Sequence, residues 1–422
     1  MNFKKTILKN GLRIITAPMK GTETVTVVVM VGVGSRYETE KEAGLSHFIE
    51  HMFFKGTDKR PTTLDISAEL DSIGGEYNAF TSKDSTGYYA KVDAKHMDTA
   101  LDVVSDIFLN SKIDDREIEK EKGTIIQELN MYEDMPMKSL GDVFENLLYG
   151  KEPLGREIIG YKRSIRSFKR DNFIDYINRY YLASDTVVCV AGKIDEKKII
   201  SQVKKQFNGM RNSGKVKAEK VKNIQKEPKL KVKSKKTDQT HLMIGVRAYD
   251  FNHKDRFALR LLSIILGGNM SSRLFIEVRE KRGLAYYVRS MTESFFDAGY
   301  LVTQAGVEHK NLELTIKTIL DEYKKISSGK VSEEELARAR DFVKGKSVMG
   351  MESSDEVAMF FADQEISRGK IMTIKELFSH IDKVTPDDIM RVAKDVFRSN
   401  KLNLAIIGPN KDSQKLKELL KL

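Results

Sequence analysis

A chain of 422 residues is too long for one small core and fits two domains of about 200 residues each. With 40% hydrophobic and 32% charged residues it is not a disordered polymer, and its longest apolar run, residues 25–33, is about half a membrane span, so no membrane partner is expected. The formal net charge of +11 invites a nucleic-acid reading, but residues 215–236 carry ten lysines against Glu219 and Glu227, +8 of that total, with no arginine or aromatic residue interleaved. That stretch offers neither bidentate contacts nor base stacking, so no nucleic-acid partner is expected.

In chain order, residues 6–19 alternate like a strand broken at Asn10-Gly11, which predicts a hairpin. Residues 25–34 read as a central strand, followed by a loop and a short helix around His47. A second helix is expected over 64–73, ended by Gly74-Gly75, then strands at 77–81 and 86–92. Helical patterns follow at 95–110, 114–133 and 137–149, then a helix near 169–182, a strand at 185–192 and a helix near 195–207. The strand holds Cys189, the single cysteine, which excludes an internal disulfide and a cysteine-based zinc site and reads as an inert core thiol. No apolar stretch follows Lys4 and Lys5, so no signal peptide is expected and cytoplasmic is the default location.

Residues 209–236, rich in glycine, asparagine and then lysine, read as a linker. The expected domains are 1–212 and 237–422, joined by a lysine-rich linker at 213–236. Residues 240–246 resemble 24–30, and residues 396–408 resemble 180–192, both at an offset of 216. Two landmarks at one spacing argue for a duplicated domain, each copy an α+β layer structure with a sheet and helices packed on it.

Only the first half carries Gly44-Leu45-Ser46-His47-Phe48-Ile49-Glu50-His51-Met52-Phe53-Phe54-Lys55-Gly56. On a helix, positions four apart share a face, so His47 and His51 can offer nitrogens to one ion, with Glu50 beside them. Ser46 and Gly44 serve as start signals and Gly56 as a stop. H-x-x-E-H is a zinc-hydrolase layout, the inverzincin order. The plain alternative is an amphipathic helix with Leu45, Phe48, Ile49, Met52 and Phe53 buried and two ordinary histidines. A catalytic zinc needs a third protein ligand. Glu121 and Glu128, seven apart on one helix face, are both candidates, whereas His96 reads as a surface or capping residue.

These segments, with Asn78-Ala79-Phe80-Thr81-Ser82, Leu154-Gly155-Arg156-Glu157-Ile158-Ile159-Gly160, and residues 271–286, resemble the pitrilysin superfamily of inverzincin metallopeptidases. That superfamily includes insulin-degrading enzyme and mitochondrial processing peptidase, and the likeness is greatest to its prokaryotic members of roughly 45 kDa. The resemblance implies two homologous α/β-sandwich domains, each a mixed sheet packed with helices, facing each other as a clamshell of the mitochondrial-processing-peptidase type. It implies one zinc ion per chain on His47, His51 and Glu128, with Glu121 as supporting acid and Glu50 as general base. It implies that Asn78, Ala79 and Phe80 form an edge strand that receives an extended peptide, and that Arg279 and Tyr286 bind substrate and stabilise the transition state. The expected function is a zinc endopeptidase acting on short or unfolded polypeptides in a closed chamber, as a homodimer. The alternative is a non-catalytic peptide-binding or scaffold subunit, against which the intact His47, Glu50, His51 and Glu128 set argues. Gly267-Gly268-Asn269 and Lys151-Glu152-Pro153 depart from the common pattern and bear on loop shape and substrate preference.

Overall fold

A computed structural model of the chain describes residues 2–212, 218–222, 225–410 and 412–422. The strands are β1 Lys4–Ile7, β2 Arg13–Pro18, β3 Thr24–Val31, β4 Glu76–Thr81, β5 Thr86–Asp93, β6 Thr186–Gly192, β7 Lys229–Ser234, β8 Thr240–Arg247, β9 Ala285–Ser294, β10 Gly299–Val307 and β11 Leu402–Gly408. They form one six-stranded sheet, β1-β2-β6-β3-β5-β4, and one five-stranded sheet, β7-β11-β8-β10-β9. Both are mixed: β2 runs parallel to β6 and β7 parallel to β11, while the other pairs are antiparallel. The predicted hairpin is β1–β2, closed by a Leu8 N–H to Leu12 O bond of 2.9 Å. β3 and β8 have equal length and lie 216 residues apart, as do β6 and β11, so the repeat seen in the sequence is a repeat of central strands. All these strands are almost wholly buried. Sheets covered on both faces read as continuous apolar runs, which is why these segments stood out.

The first helices are α1 Leu45–Phe53, α2 Thr63–Asp71, α3 Met97–Asn110, α4 Asp115–Asp134 and α5 Pro136–Tyr149; α1 lies around His47 as predicted, and α2 to α5 fall within two residues of their predicted bounds. The compact units, however, are not the contiguous halves expected. One comprises residues 1–129, 157–219 and 347–374, the other 130–156, 220–346 and 375–422. In the first unit, helix Ser354–Arg368 lays Val357, Ala358, Phe361 and Ala362 against Val28, Met30, Val187 and Cys189 of β3 and β6. In the second, α5 packs Leu140, Val143, Phe144 and Leu148 with Met243, Val302, Ala405 and Ile407 of β8, β10 and β11. Each sheet is therefore covered on one face by a helix from the other half of the sequence.

The expected linker needs a second correction. Residues 213–217 and 223–224 lie outside the described residues, but Lys229–Ser234 is the edge strand β7, not linker. Its lysines alternate with half-buried Leu230 and Val232, and Lys231 Nζ donates to Asn146 Oδ1 at 2.6 Å. Lysine on an edge strand discourages unwanted pairing, and here its abundance disguised a period of two. Cys189 lies buried in β6, and burial pushes its thiol well up, as expected of an inert core thiol. Among the described residues, no helix is long and apolar enough to cross a membrane.

Candidate metal centre

Helix α1 starts at Gly44, whose φ of +95° suits glycine. A side chain there would also collide, since a Cβ would sit 2.5 Å from Ile159 O, and one on Gly160 would sit 2.3 Å from Ala43 O. This close approach explains why the segment ending at Gly160 accompanies the histidine motif. Buried Glu38 reaches the helix start from upstream, accepting from Gly44 N at 2.8 Å and Ser46 N at 2.7 Å. A carboxylate there satisfies orphan N–H groups and complements the helix dipole. The Ser46 hydroxyl, expected as a start signal, instead bonds Tyr176 Oη at 2.8 Å. Leu45, Phe48, Ile49, Met52 and Phe53 are buried as predicted, and this fixes the opposite side for His47, Glu50 and His51.

Nε2 of His47 lies 3.7 Å from Glu128 Oε2, and Nε2 of His51 lies 3.5 Å from the same oxygen. One ligand atom from each residue falls within 4.8 Å of the others, the one such group among the described residues. Both contacts are too long for hydrogen bonds. They match ligands about 2.0–2.1 Å from one ion, which lie about 3.4 Å apart on a tetrahedron. Three neutral or anionic N and O donors of this kind fit zinc with a position left open.

The surrounding charges prepare these donors. Burial, with His51 beside it, holds His47 down to about 3, so its imidazole is neutral with a lone pair available; its Nδ1 has no hydrogen-bond partner among the described residues. His51 Nδ1 pairs with Glu121 Oε1 at 2.8 Å, and Glu121 Oε2 pairs with Lys55 Nζ at 2.6 Å. A carboxylate on Nδ1 selects the tautomer that leaves Nε2 free to bind a metal. Burial alone would favour neutral forms of both partners. The Glu121 bond and charge nevertheless raise His51, while the bonds from His51 and Lys55 lower Glu121. Glu50 is raised by burial against an opposing hydrogen bond from Thr81 Oγ1 to its Oε2 at 2.5 Å.

The expected peptide-binding residues Asn78, Ala79 and Phe80 lie on β4, which among the described residues pairs on one side only, with β5, and packs against α1. The Ala79 N–H donates to the side-chain oxygen of Asn78 at 2.9 Å. Phe80 lies over Gly87, where a Cβ would meet the ring at 2.5 Å. Arg279 and Tyr286 belong to the second unit and stand together, with the guanidinium 5.7 Å from the Tyr286 ring centroid and 4.9 Å from that of Phe275. The Tyr286 side chain is largely exposed, at 75%. Sequence reasoning missed three contributors. Thr81 lies within the quoted strand segment, next to Phe80, and Lys55 within the histidine motif, four after His51, so both could have been found by position; nothing in the spacing points to Glu38.

Residues 13–162 match the family model described as Insulinase (Peptidase family M16), and residues 167–343 match that of the Peptidase M16 inactive domain. The chain is 36% identical to an uncharacterized zinc protease of Rickettsia felis, over 97% of this chain and 98% of the relative. It is 35% identical to the uncharacterized zinc protease YmxG of Bacillus subtilis, over the same shares, and 34% identical to one from Streptomyces coelicolor, over 97% and 90%. The crystal structure of a protease from Helicobacter pylori has the same fold, with a TM-score of 0.90 at 24% identity over 97% of this chain and 99% of that one. With both family models in sequence and relatives matched over nearly their whole length, the chain belongs to peptidase family M16, the pitrilysin-like superfamily its motifs resemble.

Proposed function

We propose that this protein is a zinc-dependent endopeptidase of short or unfolded polypeptides, with one zinc per chain held by His47, His51 and Glu128. The observation that carries the reading is the convergence of the two Nε2 atoms on Glu128 Oε2, with Glu50 between the histidines in sequence. The zinc-protease names of its relatives agree with it. When bound, zinc supplies Lewis-acid polarisation of the scissile carbonyl and acidifies water toward a pKa of about 7. Glu50 takes the proton from the attacking water and delivers it to the leaving amine. The free edge of β4 at Asn78, Ala79 and Phe80 grips an extended peptide through its backbone, which demands little of the substrate sequence. Glu121, anchored by Lys55, keeps His51 in its ligating tautomer. Tyr286 donates to the carbonyl oxygen as it gains charge, and Arg279 beside it holds the peptide. The working form is a homodimer located in the cytoplasm, and sedimentation of the purified protein reads the dimer directly.

Digestion of a mixed peptide library, read by mass spectrometry, tests the reading. Cleavage is expected to stop with a chelator and return with zinc, and chelator-insensitive cleavage or none at all would refute it. Glu50→Gln should keep its zinc and lose activity by about two to four orders of magnitude; unchanged turnover would remove Glu50 from this role. Tyr286→Phe should lower kcat by about 100-fold with KM nearly constant, whereas a change in KM alone would make it a uniform-binding residue.

A further inference from the structure

We propose that Thr81 is a positioning residue for Glu50, tying the orientation of the base to the strand that receives the peptide; this rests on the peptidase reading above. Thr81 Oγ1 donates to Glu50 Oε2 at 2.5 Å, which occupies one carboxylate oxygen and leaves Oε1 to accept the proton of water. Glutamate has several freely rotating bonds, and ordering them costs entropy unless a neighbour fixes the head group. Threonine is suited to fix it, because its branched Cβ restricts χ1.

The backbone behind the hydroxyl is held on two sides. Thr81 pairs with Thr86 of β5 at the end of β4. The turn that follows is closed by Ser82 N to Ser85 O at 2.8 Å and Ser85 N to Ser82 Oγ at 3.0 Å. Ser35 N and Arg36 N, just after β3, donate to Ser82 O and Lys83 O, each at 3.1 Å. The hydroxyl is thus presented from a fixed frame, one residue beyond Phe80. A peptide added to the edge at Asn78, Ala79 and Phe80 is registered to the segment that also orients Glu50. Base and substrate therefore share one backbone reference, and near-attack geometry is set by a single element.

The test uses Thr81→Val, which keeps the shape and removes the hydroxyl, and Thr81→Ser, which restores it, in the zinc-loaded full chain. Thr81→Val is expected to lower kcat by about 10–100-fold, with KM and zinc content unchanged, and Thr81→Ser to recover most of the loss. A crystal structure of zinc-loaded Thr81→Val is expected to show the Glu50 carboxylate displaced while His47, His51 and Glu128 stay in place. The inference is overturned if Thr81→Val turns over like the wild type, if Thr81→Ser falls as far as Thr81→Val, if zinc is lost, or if the Glu50 carboxylate does not move. A wild-type protein with no chelator-sensitive cleavage would sink the peptidase reading instead, and the crystallographic comparison would still decide the positioning role.

Discussion

Glu121 and Glu128 show how far spacing alone goes at the scale of single residues. Seven apart on α4, they share a face, and the sequence left both as candidates for the third ligand until family resemblance chose between them. The physical difference lies in their partners. Glu121 is 5% exposed and spends both oxygens, one on His51 Nδ1 and one on Lys55. Glu128 places Oε2 near both Nε2 atoms without a hydrogen bond to either. Glu128→Gln should therefore weaken zinc binding more than Glu121→Gln, which should lose about 10–100-fold in affinity as an outer partner of a ligating histidine. Titration against a competing chelator measures both, and an inverted order would exchange their roles. The position of Lys55, one turn after His51, was legible, but its partner Glu121 lies 66 residues away, and no local pattern encodes such a pair.

At the scale of elements, the sequence was most legible where one physical cause dominated. The buried face of α1 follows from its apolar spacing, and the central strands β3 and β6 follow from unbroken apolar runs. It was less legible where an element's partner is remote. The apolar positions of helix Ser354–Arg368 announce a buried face but not which sheet it covers, and proximity in the chain favours the wrong one. Phe361 is 1% exposed in the cluster with Val28, Val187 and Cys189, its ring centroid 5.0 Å from that of Phe3. Phe361→Ala should cost about 3–5 kcal/mol, although it lies in the C-terminal half of the chain. Hydrogen exchange should register the loss in β3 and β6; faster exchange confined to β8 and β11 would contradict this packing. β7 was misread for a different reason, since its lysines were counted as charge before their alternation with Leu230 and Val232 was weighed.

For the whole molecule, duplication was readable because central strands must stay apolar in both copies, and their 216-residue offset survives the divergence around them. The asymmetry was readable too, since the histidine pair occurs once. Contiguous domain boundaries did not hold, because exchange of helices between the halves leaves no composition signal at the crossing points near residues 129, 156, 346 and 374. All the proposed chemistry rests on one ion held by residues from α1 and α4. Anomalous diffraction at the zinc absorption edge, from crystals of the metal-replete protein, tests this most directly. A single peak per chain, about 2.0–2.2 Å from Nε2 of His47, Nε2 of His51 and a carboxylate oxygen of Glu128, is the expected result, and a zinc-loaded crystal with no peak among those three atoms would contradict it.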